Sequence, residues 1–183
     1  MSRALVEQAQ QGDRDAYERL ARAVAPRLFL IASRILGDQD AAEDAVQQTL
    51  VTIWQDFRAL RDPDRFDGWA YRIVVRACRQ ESRRHRRLGV TVVGLTESSA
   101  AKTDDLSGIA LRDQLGRAFD RLSHDHRTVV VLHHLIGLPL AEVAEILDVP
   151  YGTVGSRLHH AMQAMRAAIE ADERAALPGG QPA

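Results

Sequence analysis

The stretch LPLAEVAEILDVPYGTVGSRLHHAMQAMRAAI, residues 138–169, decides the fold. Leu140, Val143, Ala144 and Leu147 recur at helical spacing, Asp148-Val149-Pro150 interrupts them, and Val154, Leu158, Ala161 and Met165 resume the stripe. Two amphipathic helices joined by a tight turn are expected. Ala144 is small where the helices must approach, and Val149 is the apolar plug of the turn. In a helix-turn-helix the second helix enters the major groove with its N-terminal residues against base edges. That geometry singles out Tyr151, Thr153, Ser156, Arg157 and His160. Two short helices about a proline turn share this outline without touching DNA, so the rest of the chain must decide.

Working outward, most windows repeat apolar residues at three and four, and aromatic content is only 5%, which predicts an all-α chain. Leu5 and Ala9, then Ala16, Tyr17, Leu20 and Val24, mark an opening helical pair broken around Gly12-Asp13. Pro26 precedes a further stripe, Leu28, Ile31, Ala32, Ile35 and Leu36, that stops at Gly37. Asp38 and Asp40 cap the next helix, over 40–57, with Ala42, Val46, Leu50, Ile53, Trp54 and Phe57 on its buried side. Its other side carries Glu43, Asp44, Gln47 and Gln48. The stretch ALRDPDRFDG reads as a loop. It leads into a helix over 67–87, where Trp69, Ile73, Val74, Ala77 and Cys78 share one stripe and Arg72, Arg76, Arg79 and Arg83 another. Residues 89–108 turn small and polar and read as a flexible linker. Two small helical domains follow, 1–88 and 109–173, with a disordered tail at 174–183.

The net charge of −1 argues at first against nucleic acid, since phosphate contacts need clustered cations. Its distribution argues the reverse. Residues 61–87 hold nine arginines against four acids, whereas 41–60 hold three acids and one arginine. A basic face and an acidic face are implied. The seven arginines of 72–87 are offset only by Glu81, so they repel one another unless a polyanion relieves them. A single cysteine, Cys78, excludes an intrachain disulfide and a paired-cysteine zinc site. The opening residues lack an uninterrupted apolar run, and no stretch reaches the roughly 18 apolar residues that cross a bilayer. No membrane insertion and a cytoplasmic location are expected.

At several separate places the chain resembles the extracytoplasmic-function sigma factors. AEDAVQQTLVTIWQ followed by FDGWAYRIVVRACRQESRR is similar to their conserved region two, and LSHDHRTVVVLHHLIGLPLAEVAEILDVPYGTVGSRLHHAMQAMR to their region four. The resemblance implies that Glu43, Asp44, Gln47 and Gln48 dock on the clamp helices of core RNA polymerase. It implies that the loop from Phe57 to Phe66 captures a flipped base of the promoter element nearer the start site. Unstacking such a base costs a few kcal/mol that the protein must recover. Arg58, Arg61, Arg65, Tyr71, Arg72, Arg76, Arg79, Arg83 and Arg84 would melt and hold that strand, while Trp69 reads as core. The second helix of the C-terminal unit would read the upstream promoter DNA, Arg157 foremost. An anti-sigma factor is the implied inhibitory partner, holding two otherwise separate domains together. The chain departs from the family pattern at Gly155, where a basic residue is common, at Ser123, where proline is usual, and at Ala42, which replaces a frequent aspartate.

Other classes fit less well. His133-His134 and His159-His160 are adjacent pairs, whose side chains diverge by about 100° on a helix, so neither pair chelates a metal alone. No H-E-x-x-H, G-x-S-x-G, phosphate-cradling loop or dinucleotide fingerprint is present, so neither catalysis nor a cofactor is expected. A stand-alone dimeric helix-turn-helix regulator would need a ligand pocket, receiver or dimer face in the first domain. That domain instead carries an acidic face and an arginine helix.

Overall fold

The structure, a computed structural model, describes residues 1–87 and 106–176. The stretch read as a linker lies outside the described residues up to position 105, and so does the tail from 177. Among the described residues every regular element is helical.

In the first half, α1 is Arg3–Gln10, α2 Arg14–Leu36, α3 Gln39–Asp56 and α4 Phe66–Arg87. The boundaries follow from local chemistry. Gly12 turns the chain at φ 92°, and the Asp13 side chain then accepts from the Ala16 amide at 3.0 Å to cap α2. Gly37 ends α2 in the left-handed region, and Asp38 caps α3 through the Ala41 amide at 2.7 Å. Pro26 does not divide α2 but lies inside it. The burial of Leu20, Val24, Leu28, Ile31 and Ile35 along one stripe carries the helix across the lost amide. Around this helix α3 and α4 pack a core that includes Ile53, Phe66, Tyr71, Val74 and Cys78. Removing one such side chain, as in Leu28→Ala, costs about 2–5 kcal/mol.

Two positions read from the pattern come out differently. Trp54 is 43% exposed rather than buried, its ring set edge-on to Tyr17 at 4.7 Å. Thr49 takes the buried place on α3 instead, donating to the Ala45 carbonyl at 2.7 Å. Ala42 is wholly buried, so the aspartate usual there would enter the core, and its replacement by alanine leaves the outer face unaltered.

In the second half, α5 is Leu106–Asp120, α6 His124–Val130, α7 Leu140–Leu147 and α8 Tyr151–Ala176. The helix α5 starts three residues inside the stretch read as linker, and α8 runs three residues into the stretch read as tail. Ser123 supplies what the absent proline would not, a side-chain cap on the His126 amide at 3.3 Å. After α6 the chain widens into a π-type turn over Val131–Leu135, a rare form found mostly as single turns.

The two helical halves are in contact. Helix α6 lies against α2 and α7 against α4. Val129, Val131, Leu132, Ile146 and Leu147 join the same apolar cluster as Ile35 and Val74. Two arginines cross the boundary in opposite senses. Arg127 of α6 donates to the Ile35 carbonyl at 3.2 Å, and Arg72 of α4 donates to the Glu145 carbonyl at 2.8 Å. Each guanidinium thereby meets the carbonyl end of a helix from the other half, where orphan oxygens and the helix dipole favour a cation.

Candidate nucleic-acid interface

The turn between α7 and α8 is fixed by its backbone. Asp148 adopts φ 55°, the Val149 amide donates to the Ala144 carbonyl at 3.2 Å, and the Thr153 amide donates to the Pro150 carbonyl at 2.9 Å. Val149 is half-buried against the core, as a plug should be. Val154 and Ala161 are wholly buried, which rotates Tyr151, Ser156 and His160 outward, with Tyr151 60% exposed. Thr153 and Arg157 are half-buried. A side chain at Gly155 would meet open space.

Arg157 is engaged. Its guanidinium lies 2.8 Å from an Asp125 carboxylate oxygen, and the other oxygen of that carboxylate lies 3.9 Å from Arg79 of α4. Asp125 therefore bridges the helix expected to read the upstream element and the helix expected to hold the melted strand. Its position in the first turn of α6 also suits a carboxylate.

On α4 and the preceding loop, Arg58, Arg61, Arg65, Arg76, Arg83 and Arg84 are exposed, whereas Arg72 and Arg79 are half-buried at the boundary. Tyr71 stands apart from these arginines. It is 2% exposed and belongs to the core, where burial raises its phenol above the ordinary value and Arg27 partly offsets the rise. Helix α4 is covered on both flanks, by α2 and α3 and by α7, and Tyr71 also lines the cleft between the halves. Trp69 is partly buried, packs with Phe57 at 6.0 Å and Phe66 at 6.3 Å, and also lines an open cleft of about 930 Å³. Arg61, Arg65 and Arg72 line that cleft from the first half, and Glu142, Glu145 and Ile146 from α7.

Glu43, Asp44, Gln47 and Gln48 are all exposed on one side of α3, with Val51 between them, 48% exposed. Asp44 is 3.9 Å from Arg84, so the acidic and basic faces abut along the edge of α3 and α4.

Sequence patterns missed the residues that shape the loop. Gln10 of α1 donates to the Phe57 carbonyl at 3.2 Å and the Leu60 carbonyl at 2.7 Å, and Arg3 meets Asp64 at 2.7 Å. Nothing in a single-chain pattern pairs positions about fifty residues apart. Arg127, Asp125 and His124 were missed for the same reason. His124 is pushed down to about 4, chiefly by burial, with Arg79, Arg127 and Arg86 adding to the effect and Asp125 opposing it. Its buried Nε2 lacks a partner. The Cys78 thiol is pushed up to about 12 by burial. Among the described residues no cluster of His, Cys, Asp and Glu could hold a metal ion, and no helix is long and apolar enough to cross a membrane.

Comparison with known proteins follows the same division. The Sigma-70 region 2 family matches residues 20–88 and the Sigma-70 region 4 family residues 112–165. The chain is 33% identical over 148 residues to the ECF RNA polymerase sigma factor SigL of Mycobacterium tuberculosis, covering 78% of this chain and 82% of that protein. It is 30% identical over 182 residues to the ECF RNA polymerase sigma-E factor of Haemophilus influenzae, covering 91% and 94%. Among solved structures, CnrH in complex with the cytosolic domain of CnrY superposes with a TM-score of 0.66 at 26% identity, over 93% of this chain and 97% of that one. With both regions matched in order along the chain and a relative 33% identical over 78% of it, the chain belongs to the ECF RNA polymerase sigma factors.

Proposed function

We propose that this sigma factor binds core RNA polymerase through the outer face of α3, opens the promoter with the 57–66 loop and α4, and reads the upstream element with α8. The observation that carries the reading is the joint exposure of Glu43, Asp44, Gln47 and Gln48 on one helix face. Four polar side chains and no cation on that face suit a basic protein surface and repel DNA. The exposed arginines of α4 suit a phosphate backbone and take no part in that docking. Trp69, which lines the cleft, offers a stacking surface for an unpaired base. No catalytic step is assigned to the chain, and its work on polymerase places it in the cytoplasm.

An anti-sigma factor is the natural inhibitor of such a protein. CnrH, the structural relative, is bound by the cytosolic domain of CnrY, and an equivalent partner here would cover the α3 face or the cleft.

Equilibrium binding to purified core polymerase tests the docking face. The double variant Asp44→Ala with Gln48→Ala is expected to weaken binding about tenfold or more, equivalent to about 1.4 kcal/mol. Unchanged affinity removes this surface from the reading. Affinity capture from the native cell is expected to recover a second protein besides polymerase, and recovery of polymerase alone, with constitutive transcription from the target promoters, removes the anti-sigma factor.

A further inference from the structure

We propose that His159 and His160 of α8 supply the positive charge with which this helix holds the upstream element, so that promoter recognition strengthens as the two imidazoles take up protons. The inference rests on the assignment of α8 to that element and extends it to the chemistry of the contact.

Residues 151–162, the start of α8, hold no carboxylate and a single arginine, Arg157. Its guanidinium is half-buried and shares its fork with the Asp125 carboxylate at 2.8 Å, which offsets its charge. Ser156 is exposed, but its hydroxyl donates to the Thr153 carbonyl at 3.0 Å. Gly155 offers no side chain, and the space beside it is open. Burial of Val154 and Ala161 turns His159 and His160 outward, with their rings 5.7 Å apart and inclined at 64°. A helix seated in a groove needs donors and positive charge toward the phosphates that flank it. On the outward face of 151–162 the two imidazoles alone can add that charge.

Imidazole is the side chain that ordinarily changes charge between about pH 5 and about pH 8. The neutral ring has one donor and one acceptor, and the protonated ring has two donors and a unit charge. Phosphates favour the charged form, so a ring on DNA keeps its proton to higher pH than a free one. The added affinity is complete below the titration of the free ring and is lost as pH rises through that of the bound ring. Neighbouring charges act in both senses. Arg157, on α8 itself, opposes protonation, and Asp125 of α6 favours it while also meeting Arg79 of α4. Helix α6 brings His126 as well, and the turn after α7 brings Asp148. The α5 arginines, Arg117 and Arg121, are drawn to Asp172, farther along α8.

The test uses holoenzyme assembled from purified core polymerase and the full chain. Its affinity for a duplex carrying the upstream motif shared by its run-off transcripts is divided by its affinity for the same duplex with that motif scrambled. The ratio cancels the effect of pH on polymerase itself. Between about pH 8 and about pH 6 the parent ratio is expected to rise about fivefold or more, with a salt slope steeper by about 0.9 for each ring that gains a proton. His159→Gln with His160→Gln removes the rise, and because both positions are exposed the fold tolerates the change. His160→Arg keeps recognition tight across the range, and His126→Gln leaves the rise in place. A parent ratio that is constant in pH overturns the inference alone, since α8 still discriminates. A rise that survives the double glutamine variant, or one that His126→Gln abolishes, overturns it too. Promoter-directed starts with no discrimination at any pH overturn the assignment of α8 and the inference together.

Discussion

Arg157 carries the heaviest single assignment. Its guanidinium projects from the second turn of α8 beside exposed Ser156, and a good side-chain pair with a base edge is worth about 1–3 kcal/mol. Arg157→Ala is expected to weaken upstream-element recognition about fivefold to 150-fold and leave core binding intact; equal loss of both, by competition binding, contradicts the role. Gly155 is the complementary case. Nothing obstructs a Cβ there, so Gly155→Arg adds a phosphate contact and raises helix propensity by about 0.8–1 kcal/mol. The expected outcome is tighter binding with a salt slope steeper by about 0.9, and an unchanged slope places position 155 away from the backbone. His124 gives a pH dependence. Its folded value of about 4 lies below the ordinary 6.5, so the unfolded chain binds the extra proton between those limits. Stability is therefore full above about pH 6.5 and is lost as pH falls toward 4. Replacement by His124→Gln should flatten thermal stability over that window, and an identical profile in parent and variant contradicts the burial argument.

At the scale of elements, α1 acts on a loop it precedes by about fifty residues. The two Gln10 bonds to Phe57 and Leu60 fix the backbone of the 57–66 loop, proposed to capture the melted strand, and each hydrogen bond is worth about 0.5–1.5 kcal/mol. Gln10→Ala is expected to slow promoter melting, followed by permanganate reactivity, with core affinity retained. Normal melting would mean that the loop holds itself. The same elements show what was legible in advance. Helical period, the glycine and aspartate boundaries and the apolar turn plug located α3, α4, α7 and α8, because those signals are local. The four-residue face of α3 followed from period alone. The exposure of Trp54 did not, because an apolar stripe on a helix says which side is buried and nothing about where the covering neighbour ends. Trp54 is 43% exposed.

At the scale of the whole molecule, the near-neutral charge becomes intelligible. The arginines of α4 are balanced by the α3 face, by Asp125 and by the α7 glutamates, so weak DNA binding by the free chain is expected. A subunit that reaches promoters on polymerase gains from this, since it does not occupy sites alone. The closing of one half on the other was illegible in the sequence. It depends on pairings such as Arg127 with Ile35, about ninety residues apart, that leave no periodic trace. The most direct test of the central claim is run-off transcription with purified core polymerase, with and without this chain, on fragments of its own genome, with the transcript starts sequenced. New starts that share two spaced upstream motifs are the predicted result; no association with core polymerase, alongside tight operator binding by the free chain, would contradict it.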